Sequence, residues 1–230
     1  MKKLTLSVLA AATLASVAGL QATPAVASLV VNGNFEAGNS GFTSSYIYSA
    51  PTPDTLGYPE RNYTVGSNPN AWHNLFVSLG DHTTGSGRMF IGNGSRNIAD
   101  IVWSQTINGA AVGQQYFFEA FVANVCCNAQ GPQGAAVATL SFFANDVLLG
   151  TRTTSQLGVW EGLSTNWTAD NTTVTLKILN SQAAFEGNDF AIDDISFSTT
   201  STTVVPVPGA LPLMLGGLGL ITWAARRRTK

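Results

Sequence analysis

Two adjacent carboxylates, Asp193 and Asp194, sit at the centre of the β-type run GNDFAIDDISF, Gly187 to Phe197. At a period of two residues Phe190, Ile192 and Asp194 fall on one face of a strand and Asp193, Ile195 and Phe197 on the other, which predicts an acid on each side. On a solvent-facing edge strand such acids need no explanation. Once half-buried, a carboxylate is costly unless a cation or several donors compensate it. Calcium, a hard cation with about six to eight oxygen ligands, suits the pair, and one strand cannot supply the whole set. Two distant places offer more oxygen. Glu36 follows the bend in NGNFE, and Asp81 shares the glycine-rich turn GDHTTGSG with the backbone at Thr84.

A second chemistry is written in aromatics. Tyr46 and Tyr48 alternate with Ile47, and a long stretch punctuated by Pro51, Pro53, Gly57, Pro59, Gly66 and Pro69 carries Tyr58, Tyr63 and Trp72 among Asn62, Asn68 and Asn70. Rings that combine contact area with a polar handle stack on and hydrogen-bond sugars. The alternative is that they cover the core beneath the loop. Hydrolysis has little support. His73 and His82 are the only histidines, no nucleophile motif is recognisable, and Asp193 and Asp194, read as facing opposite ways, do not form a carboxylate pair across a cleft. The chain is therefore read as non-catalytic. Cys126 and Cys127 are adjacent, too close for a conventional bridge between them. A vicinal disulfide, two free thiols and an intermolecular bridge stay open, and no Cys/His spacing argues for zinc.

The ends differ from the middle. Residues 1–27 combine Lys2-Lys3, an apolar run from Leu4 to Leu20 and the small-x-small site Ala25-Val26-Ala27, the pattern of a secretory signal peptide. After a Ser/Thr/Pro linker, residues 199–208, comes the apolar span 209–225, just long enough to cross a bilayer, and then the basic tail 226–230 with Arg226, Arg227 and Arg228. Positive-inside bias leaves these arginines cytoplasmic and the preceding domain outside. Between the ends, residues 28–198 keep all 13 acids against five bases, a formal −8. Such a domain repels phosphate backbones, which argues against nucleic acid and leaves calcium and neutral saccharides compatible.

The tail VPVPGALPLMLGGLGLITWAARRR resembles the PEP-CTERM sorting signals of Gram-negative bacteria, most closely the variants with VPLPA-like motifs. The resemblance implies recognition by an exosortase during a transient stay in the inner membrane. Cleavage near Pro206, Val207 and Pro208 then leads to a place at the cell surface or in the extracellular matrix. Val207 stands where the eponymous motif has Glu.

The elements that must hold these groups read as strands throughout. Alternation over Ile101 to Ile107, an apolar run from Tyr116 to Val122, a hairpin turning at Asn145-Asp146, and the runs Trp160 to Trp167 and Thr172 to Asn180 precede the last strand. Strands are also expected over Ser28 to Glu36, Phe42 to Ser49, Leu75 to Leu79 and Arg88 to Gly92. With no helical periodicity of useful length, about nine or ten short strands must bury one another in an all-β sandwich. In their order NGNFE, DHTTGSG with MFIGNG, WSQTI before GQQYFF, and GNDFAIDDISF resemble galactose-binding-like jelly rolls of the carbohydrate-binding-module type. The resemblance implies a structural calcium held by the backbone oxygens of Asn34 and Thr84, the carboxylates of Glu36 and Asp81, and Asp193 or Asp194. It also implies a polysaccharide partner, with the cell's own exopolysaccharide one possibility; a structural matrix protein without a sugar pocket is the alternative.

Overall fold

The computed structural model describes residues 27–52 and 59–202, and these form two antiparallel-rich sheets with one short helix. The strands are β1 (Ile47–Tyr48), β2 (Asn62–Gly66), β3 (Met89–Gly92), β4 (Ile101–Asn108), β5 (Gln115–Asn124), β6 (Thr139–Ala144), β7 (Val147–Thr153), β8 (Trp160–Thr168), β9 (Thr173–Asn180) and β10 (Phe190–Ser198). Helix α1 is Pro69–Trp72. One sheet has the order β1-β2-β3-β10-β5-β8 and the other β4-β9-β6-β7, an arrangement consistent with a jelly-roll sandwich. Among the described residues no helix is long and apolar enough to cross a membrane. The signal peptide core, Tyr58, the sorting motif Pro206-Val207-Pro208, the apolar span and Arg226 to Arg228 lie outside the described residues.

The alternation legible in sequence sorts side chains between two cores. Phe90 of β3, Phe118, Ala120 and Val122 of β5, and Phe190 and Ile192 of β10 point between the sheets, where they meet Leu140, Phe142, Val174, Leu176 and Ile178. Their neighbours one residue along, Met89, Ile91, Ala123 and Ala191, point to the outer face of the six-stranded sheet. There the chain covers them itself, with Trp72 and Phe76 laid across that face. Asn70 and Asn128 pin this cover, since both side-chain amides donate to the carbonyls of Asn74 and Phe76.

Five sequence expectations are corrected. Residues 28–36 form no strand, although Leu29 N donates to Phe197 O and Ile195 N to Gly33 O, so the segment still lies along β10. The expected strand over 42–49 shrinks to the two residues of β1, and 75–79 is irregular because it serves as the cover. The stretch read as irregular loop contains β2, a fully buried strand between breakers, and α1, whose N-cap Asn68 accepts from Asn70 N. The fifth concerns β10. Asp193 pairs with Phe121 and Ser196 with Glu119, so β10 takes three residues where β5 takes two. This bulge, with Asp194 at φ 48°, restores phase: Ile195 and Phe197 join Phe190 and Ile192 in the core instead of facing away.

Candidate functional site

The bulge decides where the acidic pair goes. Both Asp193 and Asp194 reach the turn after Asp81, so the expectation of opposite faces fails. Asp193 Oδ2 accepts from His82 N at 2.8 Å and Thr83 N at 3.1 Å, and its Oδ1 accepts from Asp194 N at 2.8 Å. Thr83 Oγ1 lies 2.7 Å from Asp194 Oδ1 and 3.3 Å from Asp193 Oδ2. The His82 imidazole stacks on Phe121 with centroids 3.5 Å apart and places Nδ1 2.7 Å from Asp194 Oδ2. Burial pushes the Asp193 carboxyl up to about 6, and the Asp194 charge adds to this while the amides oppose it.

Asp81 is treated differently although it too is buried. Burial pushes its carboxyl up, yet Thr84 N at 2.7 Å and Gly87 N at 2.6 Å donate to its two oxygens and pull it below the usual range. Glu36 meets it at the far side of the turn. A Cβ on Gly87 would fall 2.0 Å from Glu36 Oε1 and 3.1 Å from Asp81 Oδ2, so only glycine lets the two carboxylates converge. Among the described residues neither is in an ion pair. As a cation cradle this fits in part: Glu36 and Asp81 converge, but Glu36 Oε1 accepts from Arg88 N at 2.8 Å and both Asp81 oxygens from amides, and the Asp193 and Asp194 oxygens are met by amides, a hydroxyl and an imidazole. Asn34 lines the neighbouring groove with His82 and Asp194, and Thr84 uses its N–H and hydroxyl, not its carbonyl, on Asp81.

The aromatics divide sharply. Tyr46 is buried, its hydroxyl accepts from Ser95 N at 3.0 Å and its ring meets Phe190 edge-on. Tyr63 is buried, stacked on Phe90 at 4.8 Å, and donates its hydroxyl to Asn39 Oδ1 at 2.8 Å. Trp72 is 2% exposed in the outer core. These three cannot form an open platform, because one lies between the sheets with Tyr63 and the other belongs to the cover. Tyr48 is 43% exposed and fixed edge-on against Tyr63 at 5.4 Å. It lines a hollow of about 320 Å³ with Asn39, Asn68 and Arg88, and Trp72 contributes its rim.

A larger cleft of about 610 Å³ opens where β2 and β10 begin and β3 and β5 end. Glu60, His73, Phe185, Asp189 and the Cys126–Cys127 pair line it. The two cysteines are paired with each other as a vicinal disulfide, one of the three alternatives the sequence left open. Phe185 is exposed, with the Arg96 guanidinium 5.4 Å from its ring centroid. Burial pushes Asp189 up to about 8, against a single opposing hydrogen bond from Gly94 N at 2.8 Å, and burial also raises Glu60. Sequence reasoning missed Asp189, Glu60, Asn39 and Arg88. Asp189 and Arg88 stand at the ends of runs read for other residues, Glu60 and Asn39 stand in no such run, and each acquires its neighbours from segments distant in the chain.

No protein-family model and no curated protein matches the chain. Solved structures do. The chain is similar to the CBM22-1 xylan-binding domain of Paenibacillus barcinonensis Xyn10C, at 11% identity and TM-score 0.45 over 77% of this chain and 97% of that one. It is also similar to a carbohydrate-binding module, TmCBM61, solved with β-1,4-galactotriose, at 14% identity and TM-score 0.42 over 74% and 97%. A third neighbour is a Stig cyclase from Fischerella sp. TAU, at 14% identity and TM-score 0.49 over 75% and 96%. Saccharide binders and a cyclase stand side by side, so overall likeness assigns no ligand to this chain.

Proposed function

We propose that this chain is an exported, non-catalytic surface module that holds a neutral polysaccharide at the Tyr48 hollow. The observation that carries the reading is the exposed Tyr48 ring, braced by Tyr63, beside the side chains of Asn39, Asn68 and Arg88. A rigid aromatic face with amide and guanidinium groups at its edge is the equipment for a sugar ring and its hydroxyls. The acidic domain favours a neutral chain over a uronic one. The resemblance of both termini to export and sorting signals supports placement at the cell surface after exosortase processing.

Calcium belongs to this proposal. Glu36 and Asp81, with carbonyl oxygens from Asn34 and Thr84, would hold it beside Gly87, while Asp193 and Asp194 anchor the turn from the other side. Bound there, it neutralises two converging carboxylates. A ligand specific to the folded state stabilises it by about 2.7 kcal/mol at a hundredfold excess over its Kd. Chelation should therefore lower Tm in wild type and leave Glu36→Gln unmoved; identical wild-type melting in calcium and in chelator removes the cation.

Affinity electrophoresis of the full chain in mild detergent through neutral polysaccharides tests the saccharide. Tyr48→Ala should lose retardation with Tm nearly unchanged. Wild-type migration unaltered by every polysaccharide overturns the binding reading. It favours a structural matrix protein, a second reading supported by the burial of Tyr46, Tyr63 and Trp72.

A further inference from the structure

The floor of the larger cleft brings together three groups that sequence spacing did not connect. Cys126 Sγ, Cys127 Sγ and a carboxylate oxygen of Asp189 lie within 4.8 Å of one another. Among the described residues this is the one set of three or more His, Cys, Asp or Glu side chains close enough to share a metal ion. Cys126 and Asp189 are buried, and Cys127 is half-buried against the cleft.

The backbone fixes this convergence. Val125 N donates to Asp189 O at 3.3 Å, holding the end of β5 beside the approach to β10. Cys126 N donates to Asn124 Oδ1 at 3.1 Å, and Asn128 ties the following residues to the outer cover. A Cβ on Gly131 would lie 2.6 Å from Cys127 Cβ, so the loop that closes over Cys127 requires glycine. Gly94 N is the only donor to the Asp189 carboxylate among the described residues, and it engages Oδ1. The walls add His73, stacked on Phe76, and Glu60, whose Oε1 is buried without a hydrogen-bond partner among the described residues.

We propose that Cys126, Cys127 and Asp189 form a thiol-gated site for a borderline-soft divalent cation of the zinc class. Zinc takes thiolate sulfur at about 2.3 Å and carboxylate oxygen at about 2.0–2.2 Å; the two sulfurs are now held together by their own bond, and once it is cut they can part to thiolate spacing around an ion that the Asp189 carboxylate also reaches. The disulfide offers no thiolate, which closes the site. A dithiol reductant opens it: two electrons and two protons pass to the Cys126–Cys127 bond, giving two thiols, while the reductant leaves as its own disulfide. The cation then displaces to solvent the two thiol protons and any proton on the Asp189 carboxyl, and binds both sulfurs, with the Asp189 carboxylate as the oxygen ligand and the cleft as the route in. The site is independent of the saccharide hollow, so a chain that binds metal but no polysaccharide upholds this inference and sinks the other.

The test uses the full chain in mild detergent, reduced with dithiothreitol and freed of it under anaerobic conditions, then titrated with Cd²⁺. Thiolate-to-metal charge-transfer absorption should rise to one equivalent, and Zn²⁺ should abolish it by competition. The untreated disulfide form should give no band. Cys126→Ser and Cys127→Ser should each lose the one-equivalent band, and Asp189→Asn, which keeps an acceptor for Gly94, should keep the band with affinity at least about tenfold weaker. Melting curves in metal-free buffer establish that the variants are folded, and wild type alkylated at both thiols provides a loss of ligand without substitution. No band in reduced wild type, equal binding by the disulfide or alkylated form, or equal affinity in folded Asp189→Asn overturns the proposal.

Discussion

Asp189 and Asp193 stand four residues apart, one just before β10 and the other at its middle, both buried, and both with carboxyls pushed up by that burial. Their surroundings differ in how deeply the carboxyl is desolvated and in how many donors reach it. Asp193 meets the amides of His82, Thr83 and Asp194 and the Thr83 hydroxyl, and stops at about 6. Asp189 meets one amide, and rises to about 8. Glu119 extends the series on the outer face of the same sheet. Burial pushes it up, yet Ser164, Ser201 and both groups of Thr202 donate to it and bring it down to about 2. Donor supply, together with depth of burial, separates acids that brace the fold from an acid met by a single amide. The bulge side is built for stability; the cleft side keeps polar groups under-supplied.

The largest effect expected from this contrast is on the bulge side. Asp81→Ala removes the buried carboxylate that accepts from Thr84 N and Gly87 N in a turn whose residues 83–86 are themselves exposed, which should cost about 2 kcal/mol and lower Tm by roughly 4–8 °C. A denaturant melt with an unchanged m-value checks it; a loss below about 1 kcal/mol would break the distinction, since the turn would then not depend on its acid.

Next in size, Thr83→Val removes one hydroxyl donor shared by Asp193 and Asp194 and should cost about 1 kcal/mol. The Asp193 carboxyl should move upward, toward Asp189, in a ¹³C-detected titration. A downward move contradicts the donor account.

The pH dependence should carry opposite signs at the two braced acids. Glu119 is more acidic folded than unfolded, so its contribution is present above about pH 4.5 and is lost as pH falls toward about 2. Asp193 is less acidic folded, so its contribution is full below about pH 3.8 and is lost as pH rises through about 6. Glu119→Gln should flatten the acid limb of stability against pH, and Asp193→Asn, which keeps an acceptor for the His82 and Thr83 amides, should flatten the limb near pH 6. Flattening on the wrong limb by either variant refutes its assignment.

The smallest effect is expected in the cleft. Glu60→Gln removes a charge whose carboxyl is raised by burial and should change stability by no more than about 0.5 kcal/mol. A loss as large as that of Asp81→Ala would show the cleft to be braced like the turn.

Local pattern was enough for much of this. Period-two alternation marked β4 and β9, the Asn145-Asp146 turn marked the β6–β7 hairpin, and the absence of helical periodicity matched a two-sheet all-β fold. It also marked Asp193 and Asp194 as acids in need of explanation, because charge in a β-type run is conspicuous whatever surrounds it, and pointed to Glu36 after a bend and Asp81 in a glycine-rich turn as further oxygen donors. It failed where distant segments decide. An inserted bulge residue leaves no trace in composition, yet it returns Ile195 and Phe197 to the core and turns both aspartates to one side. Trp72 looked like a ligand platform because nothing local reveals that its own segment covers the outer face of the six-stranded sheet. The sequence by itself determined which residues alternate and which bear charge, since these depend on neighbours one or two positions away. Only the tertiary structure decided which acids find donors, which aromatics see solvent and that Asp189 meets Cys126 and Cys127, because desolvation and hydrogen bonding are set by strands that pair across the whole chain.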